Sequence, residues 1–105
     1  MNLFSLPTTS TDEEVFTPLT ADKGILIEKI VSTGQVSPDG FWYEQNRDEW
    51  VAVLQGEAKL TWEDGTISEL HKGDWVLIPA GKKHRVDWTT ANPPCIWLAV
   101  HGKIL

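Results

Sequence analysis

From Lys23 onward, short apolar runs alternate with turn residues along the chain. "GILIEKIV", "FWYEQ", "EWVAVLQG", "EAKLTW", "TISEL", "WVLIP" and "CIWLAVH" are rich in Val, Ile, Leu, Trp and Thr, and Gly, Asp, Asn and Pro separate them. No longer stretch carries a 3.6-residue apolar period, so the pattern predicts strands and almost no helix. In "AKLTWED", Ala58, Leu60 and Trp62 share one face and Lys59, Thr61 and Glu63 the other. Asp64-Gly65 between "AKLTW" and "TISEL" supplies the positive φ that a hairpin turn needs. "EWVAVL" and "WVLIP" do not alternate in polarity, which predicts that both faces of those strands are covered. Many short strands at this spacing predict an all-β sandwich or barrel.

Residues 1–20 read differently. "PTTSTDEE" is polar, Pro7 and Pro18 interrupt regular structure, and Ser10 or Thr11 could cap a single helical turn. The expectation is one domain over residues 1–105, with a barrel at about 22–103 and an N-terminal arm at 1–20. Leu3, Phe4, Leu6 and Phe16 would dock that arm on a surface.

Composition narrows the function classes. The formal net charge is -6, and the nine Lys and Arg residues are scattered. No basic stripe exists to neutralise phosphates or anionic lipid, so neither nucleic acid nor membrane is an expected partner. One cysteine, Cys95, permits no internal disulfide and no thiolate zinc cluster. The N-terminus lacks a basic segment and a long apolar run, so a cytoplasmic protein is expected. Six tryptophans are many for 105 residues. Most should fill a core, with a minority lining a pocket.

"GDWVLIPAGKKHRV" carries a rigid turn just ahead of a histidine. Gly73-Asp74 leads into a strand, Pro79 ends it where no ladder N–H is required, and Gly81 permits a reversal. Period-two geometry then places His84, Val86 and Trp88 on one face, with the charged Arg85 and Asp87 on the other. His84 is therefore expected to face the interior.

The spacing of Gly73, Pro79, Gly81 and His84 resembles the second motif of the cupins. Gly40, Glu49 and Gly56, with the strand–turn–strand "EWVAVLQGEAKL", are similar to the first. The resemblance covers roughly residues 24–101. It implies a small single-domain cupin, a double-stranded β-helix or jelly roll.

Metal-binding cupins hold their ion with two histidines and a glutamate from the first motif and a histidine from the second. Here Glu49 and His84 match, while the other two positions fall on Tyr43 and Gln45. The resemblance thus implies a degenerate metal site, Tyr43/Gln45/Glu49/His84. A phenol and an amide are weak ligands, so no tightly held cofactor is expected, with a divalent transition metal as the alternative. His71 is expected in solvent, and His101 shares a face with Trp97 and Ala99 but its side is open.

Phe41, Tyr43, Gln45 and Trp88 are the candidate ligand-binding residues, and Glu49 with His84 the candidate acid–base pair. Two function classes follow. One is a cupin that binds a small polar or carbohydrate-like molecule inside the barrel. The other is a cupin enzyme, either a metal-dependent oxygenase or lyase, or a metal-free isomerase using His84 and Glu49. The apolar arm and the doubly apolar strands predict a homodimer.

Overall fold

The structure is a computed structural model and describes residues 1–8 and 12–105. The cap expected at Ser10 or Thr11 lies outside the described residues. Eight strands are present: β1 (Val15–Pro18), β2 (Leu26–Ser32), β3 (Asp48–Gln55), β4 (Ala58–Trp62), β5 (Ile67–Leu70), β6 (Trp75–Ile78), β7 (His84–Thr89) and β8 (Cys95–Gly102). No helix occurs among the described residues. A five-stranded sheet in the order β1-β2-β8-β3-β6 faces a three-stranded sheet in the order β5-β4-β7. Each described pairing is antiparallel, and the two sheets form the all-β sandwich that the strand pattern predicts, with the jelly-roll form that the motif resemblance implies.

The core lies between the sheets. Ile30, Val51 and Trp97 from the larger sheet meet Leu60 and Val86 from the smaller one, and all are buried. Period-two alternation explains the selection, because these residues occupy the inward positions of their strands. The Trp97 indole N–H finds an acceptor in Ser32 Oγ at 3.0 Å, as a buried indole requires. The hairpin between β4 and β5 turns on Gly65, at φ 88°, with Asp64 Oδ1 accepting from the Thr66 amide. Gly56 is obligatory in a stricter sense. Its φ is 79°, and a Cβ there would stand 2.9 Å from the Cys95 Cα and 2.4 Å from Thr90 Oγ1.

The segment expected to be an arm is partly strand. Val15–Pro18 extends the larger sheet at its edge, with Phe16 opposite Ile30 and Pro18 opposite Glu28. An edge strand tolerates a proline, so Pro18 ends regular structure without preventing it.

Two bulges correct the simple parity reading. One lies in β3 between Val53 and Gln55. The other lies in β7, where Leu60 opposes Val86 but Lys59 opposes Trp88, leaving Asp87 as the extra residue. Beyond that bulge the faces exchange, as a one-residue slip must make them. Thr89 turns inward and is buried, while Trp88 is 40% exposed.

Candidate functional site in the barrel interior

The turn that precedes His84 is stitched to the segment that carries Tyr43 and Gln45. Tyr43 N–H donates to the His84 carbonyl at 2.7 Å, and His84 N–H donates to the Tyr43 carbonyl at 3.1 Å. Gly81 N–H donates to the Gln45 carbonyl at 2.7 Å. Asp48 clamps the same turn from below, its carboxylate accepting from the amides of Ala80, Ile104 and Leu105. Those backbone donors hold the Asp48 carboxyl below its ordinary range. Proline, glycine and the two stitches together fix where His84 and Gln45 point.

The inner wall between the sheets encloses a cavity of about 70 Å³. Its polar lining includes Tyr43, Gln45, Glu49 and His84, and also three residues that motif spacing did not reveal: Glu14, Glu28 and His101. Ile30, Val51, Ile78 and Trp97 supply apolar wall. Phe16, half exposed, lines it from the edge strand, and a shallower depression at the surface shares Glu14, Phe16 and Tyr43 with it.

Register brings the buried charges together. Glu49 lies directly opposite His101 in the β3–β8 ladder, and Glu28 opposes Ala99, two residues from His101. His101 Nε2 stands 2.9 Å from Glu28 Oε1, and its Nδ1 3.1 Å from Gln45 Oε1. Both ring nitrogens thus have a polar side-chain partner. The Gln45 side chain also hydrogen-bonds Glu49. Glu14 accepts from the Ser32 hydroxyl.

His84 is held differently. Its Nδ1 lies 3.1 Å from the Lys82 carbonyl, which can only accept, so Nδ1 carries the hydrogen. Nε2 points toward Glu49 Oε1 at 4.0 Å. The ring is stacked on Tyr43 at 5.5 Å and tilted against Trp62 at 5.9 Å. Burial, and then the Lys82 charge, push the His84 pKa down, outweighing the opposing carbonyl bond. The neutral ring therefore presents an unprotonated Nε2 to Glu49.

Burial pushes the Glu49 carboxyl up, aided by Glu28, while His101 and Gln45 act against it. Burial raises Glu14 as well, and it raises the Tyr43 phenol together with the charges of Glu14 and Glu49.

Two expected wall residues lie outside the cavity. Trp88 is turned away by the Asp87 bulge and sits 5.8 Å from Lys59 Nζ. Phe41 N–H donates to the Pro38 carbonyl at 3.0 Å. It is 45% exposed and packs edge-to-face on Tyr43 at 4.9 Å. Of the six tryptophans only Trp97 lines the cavity. His71 is exposed and pairs with Asp74 at 3.5 Å.

Residues 30–101 match the family described as Cupin domain. The chain belongs to the cupin family. No curated protein matches it significantly. Among solved structures, this cupin is similar to a Ralstonia eutropha JMP134 protein provisionally named a mannose-6-phosphate isomerase. The two are 43% identical, with 98% of this chain and 96% of that chain covered and a TM-score of 0.91. A cupin superfamily protein from Desulfitobacterium hafniense DCB-2 shares the fold at 18% identity, covering 92% of this chain and 84% of its own, with a TM-score of 0.75. A Thermus thermophilus protein does so at 19% identity, covering 98% and 95%, with a TM-score of 0.77.

The cupin metal position falls here on residues that do not fit a tightly held transition metal. Only His84 and Glu49 are strong donors. The Gln45 side-chain oxygen faces His101, and Tyr43 is a phenol kept neutral by burial and then by the charges of Glu14 and Glu49. Among the described residues no group of three or more His, Cys, Asp or Glu side chains is arranged to hold an ion.

The raised pKa of Glu49 carries a stability consequence. A carboxyl whose folded value lies above its unfolded one contributes stability below the unfolded value and loses it as pH rises through the folded value. Glu49→Gln should therefore raise the melting temperature at about pH 7, and the advantage should vanish near pH ~4, where the wild-type carboxyl is also neutral. Thermal denaturation across that range measures it.

Proposed function

We propose that this cupin binds a small polar molecule inside its barrel, with Glu49 and His84 as the groups that grip it. The observation that carries this reading is the 4.0 Å gap between His84 Nε2 and Glu49 Oε1 inside the cavity. Two buried acceptors face one another across a space suited to a donor from a ligand. Tyr43 and Gln45 extend the polar wall, and Val51, Ile78 and Trp97 give the ligand an apolar bed. A reducing, cytoplasmic setting suits the single cysteine, Cys95, which is buried with its thiol pushed up to about 12. No helix among the described residues is long and apolar enough to cross a membrane.

A second reading is a metal-free isomerase in which Glu49 and His84 exchange a proton with the substrate. The name given to the Ralstonia relative favours it. Among the described residues the lining of the cavity includes no Lys or Arg, which disfavours a phosphorylated sugar as the substrate.

Protein-observed NMR with a library of small hydroxylated and amine fragments tests the reading. Binders should shift the ring signals of His84 and His101, and Glu49→Ala should weaken them by about tenfold or more, the loss of a charge-assisted hydrogen bond. Fragments that bind only at the outer surface, indifferent to Glu49, would contradict it.

We further infer a two-fold homodimer through the outer face of the larger sheet. Ile27, Val100, Trp50 and Leu77 form one outward row across four strands by register. Trp75, 59% exposed, extends the patch and meets Trp50 at 6.0 Å. Lys29 Nζ donates to the Ser5 carbonyl at 2.7 Å, which brings the N-terminal segment beside this face with Phe4 and Leu6 still exposed. A second copy would cover both the row and those side chains. Light scattering after size exclusion should give twice the 11.8 kDa chain mass, and Trp75→Glu should return it to the monomer mass. A monomer for the wild-type protein at micromolar concentration would contradict the assembly.

A further inference from the structure

The charges around the cavity define the class of ligand more narrowly than its polarity does. Three carboxylates line it, from Glu14, Glu28 and Glu49. Their nearest basic groups among the described residues are imidazoles: His101 Nε2 stands 2.9 Å from Glu28 Oε1, and His84 Nε2 4.0 Å from Glu49 Oε1. The depression that shares Glu14, Phe16 and Tyr43 with the cavity adds Asp12 and Glu13. Among the described residues neither lining includes Lys or Arg. Lys82, whose charge reaches His84, lies 4.3 Å from the Trp62 ring centroid and lines a separate depression with Glu63 and Asp64. No helix N-terminus is present among the described residues to receive an anion.

Hydrogen-bond capacity points the same way. His84 Nε2 and Glu49 Oε1 are both acceptors, 4.0 Å apart. One nitrogen about 2.9 Å from each can stand between them only if it carries at least two hydrogens. The volume of about 70 Å³ is about twice the liquid-volume share of one water, so only the compact end of a ligand enters. Phe16, Tyr43 and Trp97 add aromatic rings to the wall, which favour a cation over an anion.

We propose that the cavity selects ligands whose buried end is a primary ammonium group, and that it rejects phosphate and carboxylate groups. This rests on the reading that the barrel binds a small polar molecule, and it deepens that reading by fixing the sign of the ligand's charge. The ammonium donates to Glu49 Oε1 and His84 Nε2, with Glu14 supplying the remaining negative charge from the side of the edge strand.

A matched set of three probes tests it: 2-amino-1,3-propanediol, glycerol and glycerate, of similar size and opposite or absent charge. Each is titrated calorimetrically into chelator-treated protein at low ionic strength. The amine should bind about tenfold or more tightly than glycerol, the difference between charged and neutral hydrogen bonds, and glycerate should bind more weakly than either. Glu14→Gln and Glu49→Gln should each reduce the preference for the amine while the folded state, read by thermal denaturation, is retained. Equal binding of amine and glycerol overturns the charge selection and leaves the barrel a binding site. Preference for glycerate, or no binding of the amine, overturns the proposal outright. Amine binding that appears only after Zn²⁺ or Mn²⁺ is added also overturns it, because the recognised cation is then the metal.

Discussion

A carboxylate buried between two β-sheets has to be compensated from within, and in this cupin Glu49 sets that demand. Desolvation disfavours its charge, and two groups oppose the penalty: His101 through its charge and Gln45 by a hydrogen bond. His101 is itself held by Glu28, so the compensation passes straight across from β3 to β8 and then diagonally to β2 in the larger sheet. The remaining neighbour of Glu49, His84, adds a second acceptor and no donor. The polar cluster is thus satisfied on the side of the larger sheet and unsaturated toward the cavity, and this asymmetry makes the interior receptive to a donor.

The rest of the fold serves to hold that asymmetry. The Pro79–Gly81 turn has one evident mechanical task. Its Gly81 amide binds the Gln45 backbone, and the strand that follows exchanges two backbone bonds with Tyr43. A short irregular segment is thereby fixed as firmly as a strand, and the amide of Gln45 can sit between His101 and Glu49. Asp48, next to Glu49, ties the same turn to the C-terminal residues through three amides. Buried carboxylate and apolar wall succeed one another along β3 because Glu49, Val51 and Val53 share its inner face, while Trp50 and Ala52 face outward.

The fold was legible from the sequence because its signals are local: Asp64-Gly65, the Pro79–Gly81 turn and the alternation of β4 each act within a few residues. Glu49, His84, Gln45 and Tyr43 were legible as a set because cupin spacing fixes them. Trp88 was not. A single extra residue at Asp87 reverses the face of everything after it, and bulges leave little trace in a polarity pattern. Glu14 and Glu28 come from strands distant in sequence, and in "LIEKIVS" polar and apolar residues occupy both faces, so parity gives no side. His101 carried a usable signal, its shared parity with Trp97 and Ala99, but nothing in the chain alone fixed that face as the inner one.

The receptivity of the cavity turns on the protonation of one ring. Nitrogen-15 NMR of the His84 imidazole in the ligand-free protein at about pH 7 reads it directly. The structure predicts a neutral ring with hydrogen on Nδ1 and a bare Nε2 facing Glu49. An imidazolium, or a neutral ring with its hydrogen on Nε2, would mean that His84 already satisfies Glu49, and that the cavity offers no paired acceptors for a ligand.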